Sequence, residues 1–111
     1  MRENDFKVPL KVPMIIEWLG FSVKPQLREK FVAQDREIWT PVIANCAGFL
    51  GKEIWFDPTR GDRVFIIIRW QSREQWKAIS NKLLEETEQK FALAMGADNY
   101  QMIESKEYQL Q

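Results

Sequence analysis

The chain reads as an α+β domain in the order β-α-β-β-α-β, a four-stranded antiparallel sheet with its helices on one side. Three observations predict this. Apolar residues fall in β-rich runs and at helical spacing by turns along the 111 residues. The two most apolar runs, MIIEWLGFSV (14–23) and RVFIIIRW (63–70), come first and third among the strands, where this plan puts its central strands. The length is below the roughly 150 residues of an average domain, so one core is expected.

In chain order, residues 1–13 hold Pro9 and Pro13 among charges and read as an extended N-terminal arm, leaving 14–111 as a single domain. The first strand, 14–23, is rich in β-branched and aromatic residues. Pro25 suits the first turn of a helix whose apolar stripe runs Leu27, Phe31, Val32, Ile38, Trp39, Val42, Ile43 and Cys46. Pro41 predicts a kink there, or a restart with Thr40 as N-cap. Gly48 ends the helix, FLGKEIWF (49–56) is the second strand, and DPTRGD (57–62) is a hairpin turn into the third. Ser72 and Gln75 form a capping-box pattern, Ser80 caps a further segment with Leu84, Thr87, Phe91 and Met95 on one face, and Gly96 closes it. The fourth strand runs from Tyr100 to about Leu110, with Tyr100, Met102, Tyr108 and Leu110 on one side. Together these elements make the split-βαβ, ferredoxin-like plan.

Composition removes whole classes of function. Sixteen basic and sixteen acidic residues cancel, so no long-range field draws the protein to nucleic acid or an anionic membrane. No run is long and apolar enough to span a bilayer, and the start lacks a secretory signal, which predicts a cytoplasmic protein. A lone Cys46 fits a reducing compartment. With no histidine there is no Ser-His or Cys-His couple and no imidazole for zinc or haem. Carboxylates could still hold a hard cation, but the sequence has neither a D-x-D-x-D-G loop nor a G-x-x-x-x-G-K-S/T cradle, and the expectation is no metal site and no bound cofactor.

Right-handed crossovers put both helical regions on one face of the sheet. If Phe56 opposes Arg63, the other face carries Leu50, Ile54, Phe65 and Ile67, joined by Ile15, Leu19 and Phe21 of the first strand. Such a face exceeds what a monomer exposes and predicts a homodimer, sheet against sheet. Glu17 and Arg69 are expected on that same face as an ion pair.

The stretch GFLGKEIW, the hairpin and IIIRWQSREQW resemble the dimeric α/β-barrel superfamily, near the antibiotic-biosynthesis monooxygenase domains, over about residues 14–110. A tighter resemblance, on EWLGF, REIWTP, GFLGKEIW and RWQSREQWKAI, is to a small family known mainly from cyanobacteria and without an assigned activity. The superfamily includes cofactor-free monooxygenases of polycyclic aromatics and haem-degrading enzymes. Trp70 matches a tryptophan of the latter's haem pocket, but Ser80 stands where they have the iron-ligating histidine and Trp18 where they have an asparagine. The resemblance therefore implies no haem chemistry of that type.

Trp18, Trp39 and Trp70 are candidates to line a pocket for a small aromatic or apolar ligand, with Ser80 and Asn45 beside them. The competing reading is that they fill the core. Two functions follow. One is a dimer that binds or oxidises such a molecule, with a cavity next to Trp70. The other is a structural or regulatory dimer with a solid interior.

Overall fold

The computed structural model describes residues 14–111. The proposed arm, 1–13, lies outside them. Strand β1 (Ile15–Val23) leads through a single 3₁₀ turn, Pro25–Leu27, into helix α1 (Arg28–Gln34), a widened π-helical turn (Asp35–Trp39) and helix α2 (Thr40–Ala44). Strands β2 (Phe49–Asp57) and β3 (Arg60–Trp70) form the hairpin. Helices α3 (Arg73–Lys77) and α4 (Asn81–Met95) then cross back to β4 (Tyr100–Gln109). The sheet is antiparallel in the order β2-β3-β1-β4, so β3 and β1 are central, as their apolar runs predict. Among the described residues no helix is long and apolar enough to cross a membrane.

The local signals explain most boundaries. Ser72 Oγ accepts from the Gln75 N–H at 3.1 Å and Ser80 Oγ from the Leu83 N–H at 3.3 Å, capping α3 and α4. Gly48 and Gly96 take φ of 86° and 84°, the left-handed region that glycine enters freely, where the chain leaves α2 and α4. Thr40 is not a cap, as it has helical backbone and makes no capping bond. Pro41 offers no N–H and its ring would crowd the Glu37 carbonyl in an α-turn. The chain instead widens just ahead of it, and the Thr40 N–H reaches back five residues to the Asp35 carbonyl.

The hairpin is tighter than its sequence suggests. Asp57 Oδ1 accepts from both the N–H and the hydroxyl of Thr59 at 2.8 Å, so the chain reverses over Pro58–Thr59 and β3 begins at Arg60. Phe56 therefore opposes Val64 rather than Arg63, a one-residue change that moves β2 to the other face relative to β3. Ile54 pairs with Ile66 and Lys52 with Ile68, on the face under the helices. In β1, Ile15, Glu17, Leu19 and Phe21 pair with Trp70, Ile68, Ile66 and Val64 and share that face. These corrections take Ile15, Glu17, Leu19, Phe21 and Ile54 out of the expected dimer surface, while Phe65, Ile67 and Arg69 stay on the helix-free side. Leu50 sits at a register irregularity in β2 and is exposed.

Glu17 and Arg69 do not pair. Arg69 is opposite Ile16, on the far face from Glu17, and its Nη1 meets Glu53 Oε2 at 3.0 Å. A register shift in β4 beside Gly20 and Phe21 splits the residues expected on one side of that strand. Met102 pairs with Phe21 under the helices, while Tyr108 pairs with Ile16 on the open face.

The core lies between the sheet and α1, α2 and α4, built from Phe21, Val23, Phe31, Ile43, Val64, Ile66, Ile68, Trp70, Phe91 and Met95. Phe31 meets Phe21 and Phe91 at ring separations of 5.2 Å each, joining β1, α1 and α4 through one aromatic chain.

Candidate functional site

The core is not solid. A cavity of about 430 Å³ separates the helices from the middle of the sheet. Leu19, Ile66 and Ile68 form its floor, Phe31, Trp39 and Ile43 one wall, and Trp76, Leu84 and Phe91 the other. Into this apolar space come Glu17 from β1, Asp35 from the π-turn and Lys52 from β2. A few converging polar groups in an apolar hollow are the general form of a small-molecule site.

Each polar group is placed by a feature of its element. Glu17 and Lys52 both oppose Ile68, one from each side of β3, so register alone sets them on one face with that side chain between them. Asp35 and Trp39 are four residues apart across the widened turn, and both line the cavity. Asp35 is only 2% exposed. Lys52 Nζ stands 2.7 Å from Asp35 Oδ2, and its directed hydrogen bond goes to Thr40 Oγ1 at 2.8 Å. Lys52 is thus the counter-charge of Asp35, shared with the Thr40 hydroxyl. Glu17 Oε1 accepts from the indole N–H of Trp70 at 3.0 Å.

Burial pushes the Glu17 carboxyl above its ordinary value, against the smaller opposing effects of the Trp70 N–H, Lys77 and Lys52. Asp35 is pushed up in the same way, with Lys52 and then Arg36 opposing. At the β4 end, Tyr100 donates to Glu88 Oε2 at 2.6 Å; burial and then that carboxylate hold its hydroxyl well above the ordinary phenol range. Cys46 is no nucleophile in this setting, because burial pushes its thiol up and its Sγ donates to the Val42 carbonyl at 3.3 Å.

The sequence-predicted pocket residues do not converge. Trp39 lines the cavity. Trp70 lies fully buried beneath it and reaches it through Glu17. Trp18 is on the opposite face of the sheet, packed against Trp55, Phe65 and Tyr108. Ser80 is spent capping α4, and Asn45 is exposed at the end of α2. The residues missed are Asp35, Lys52 and Trp76, together with the cavity role of Glu17. One signal was available, since Phe31, Asp35 and Trp39 recur every four residues and put an acid on the apolar stripe.

A larger cleft, about 530 Å³, lies outside the core between the Lys24–Pro25 and Ala97–Asn99 turns. It is open to solvent; Tyr100 lines its inner side and Asp62, on its rim, is held below the usual range by exposed Arg60. The inner cavity gathers the buried carboxylates and is the better candidate site. Among the described residues no three His, Cys, Asp or Glu side chains converge to hold a metal ion.

The fold recurs in solved structures. A Bordetella bronchiseptica protein provisionally described as an antibiotic biosynthesis monooxygenase superposes with a TM-score of 0.63 at 16% identity, over 89% of this chain and 96% of that one. A conserved protein of unknown function from Bacteroides thetaiotaomicron gives 0.59 at 21% identity, over 89% and 99%. A cofactor-independent oxygenase from Streptomyces nogalater gives 0.55 at 14% identity, over 89% and 92%. At such identities these likenesses speak for the fold alone. No curated protein matches the chain. The family model for antibiotic biosynthesis monooxygenases matches residues 14–82, from the start of β1 into α4. That span is more than half of the 111 residues and takes in Glu17, Asp35, Lys52 and both central strands, so the chain belongs to the antibiotic biosynthesis monooxygenase family.

Proposed function

We propose that the protein binds a small, flat, largely apolar molecule in the cavity between its helices and sheet. The observation that carries this reading is the cavity itself, with apolar walls and a few charged groups in its lining, where a structural dimer would have a filled interior. Oxidation of that molecule without a bound cofactor is the activity suggested by the Streptomyces nogalater neighbour, and it suits a chain with no histidine. The working unit is a homodimer joined through the helix-free face of the sheet, where Trp18, Trp55, Phe65 and Tyr108 form an exposed or half-buried aromatic cluster. Its compartment is the cytoplasm, in keeping with a single cysteine.

Titration with ethylnaphthalene tests the cavity. We expect saturable binding at one site per chain, abolished when Leu19→Trp fills the floor while the far-ultraviolet dichroism is kept. Binding that does not saturate, or that survives Leu19→Trp unchanged, would remove the cavity from the account.

A further inference from the structure

We propose that the charged part of the cavity lining is an acceptor site for a protonated amine, so that its ligand is an aryl-alkyl ammonium with the ring in the apolar part. This rests on the cavity reading above and names the substrate class. The argument starts from hydrogen-bond supply. Lys52 is already committed, with Nζ 2.7 Å from Asp35 Oδ2 and 2.8 Å from Thr40 Oγ1. Asp35, 2% exposed, has its Oδ2 taken up by that ammonium, so the acceptor left for a ligand is Glu17. Glu17 receives one neutral N–H, from Trp70, and among the described residues no cation lies within ion-pair distance of it. Lys77 also lines the cavity and acts on Glu17 from beyond ion-pair distance, exposed and with its ammonium 4.0 Å over the ring of Trp76.

An ionised carboxylate only accepts, so a hydrocarbon or an anion entering the cavity would desolvate Glu17 and give nothing back. A phenol brings one donor and no compensating charge. An ammonium brings three donors and a positive charge to Glu17, which has no ionic partner among the described residues. Trp39 and Trp76 line the same cavity, and indole faces attract cations. Lys77 already covers the Trp76 ring, which assigns the ligand's ammonium to the Trp39 side of the cavity.

The test compares three probes of one shape on the full chain by calorimetric titration: naphthylethylamine, ethylnaphthalene and naphthylpropanoate. The amine should bind about tenfold or more tightly than the hydrocarbon, and the carboxylate more weakly than either. Glu17→Gln keeps an acceptor for the Trp70 N–H and should bring the ratio of amine to ethylnaphthalene affinity down to about one. Asp35→Asn should weaken the preference as well, and it serves as the test if the Glu17→Gln chain folds poorly. Equal affinity for amine and hydrocarbon, tighter binding of the carboxylate, or a preference that survives both variants would overturn the proposal and leave the cavity reading standing. Failure of all three probes to bind would take down both.

Discussion

Glu17 shows how little of a side chain's fate lies in its own neighbourhood. It sits between Ile16 and Trp18 in an apolar strand, and alternation says only that it shares a face with Ile15 and Leu19. Which face meets the helices depends on how β1 registers against β3, and both faces of β1 are apolar enough to be buried. The charge therefore could be noticed in the sequence but not placed. Its burial has a measurable consequence. The folded carboxyl titrates above its ordinary value of 4.5, so the folded chain holds that proton at pH values where the unfolded chain has lost it. Stability from this group is whole below the ordinary carboxylate range and falls as pH rises through the window up to the folded value. The Glu17→Gln chain lacks that titration, so its unfolding free energy should gain on the parent's between acid and neutral pH. Denaturant unfolding across this range checks it, and parallel profiles would show that Glu17 does not titrate differently on folding.

At the scale of elements, the order of strands and helices was legible because each carries its own punctuation: Pro25, Gly48, Ser72, Ser80 and Gly96 all act where they stand. Register was not legible. The Asp57 side chain closes a shorter turn than the run DPTRGD suggests, and one residue of slip exchanges the faces of a whole strand. The same slip moves Lys52 from opposite Ile67, on the helix-free face, to opposite Ile68, under the helices. Lys52 and Asp35 tie β2 to the π-turn, with side chains 7% and 2% exposed. Lys52→Met should cost about 3–5 kcal/mol, because the carboxylate is left buried without its counter-charge. Adding Asp35→Leu should recover much of that loss, as an apolar pair needs no compensation. Equilibrium unfolding of both variants decides it: equal losses in the single and double variants would mean that the two charges do not depend on each other.

For the whole molecule, one layer of helices covers one face of the sheet and leaves the other to be covered by something else. The expectation of a homodimer arose from the wrong members of β1 and β2, yet the helix-free face still presents Trp18, Trp55, Phe65 and Tyr108 around the buried Ile67. Face-to-face association there should bury more than roughly 1,200 Å². Light scattering at micromolar concentration should report twice the chain mass, and Trp55→Lys, at an exposed position of the cluster, should lower it. A folded species of single-chain mass in the parent protein would refute the dimer.

The five indoles are sorted by the sheet into separate optical compartments. Trp18 and Trp55 face one another edge to face at 5.6 Å on the open side, close enough for their transitions to couple into a circular-dichroism couplet. Trp39 and Trp76 line the cavity, and Trp70 is sealed in the core with its N–H on Glu17. Association of two chains would thus register chiefly in the dichroism of the first pair, and occupation of the cavity in the emission of the second. The proposed assembly and the proposed ligand would each have a native spectroscopic channel, without any label being added.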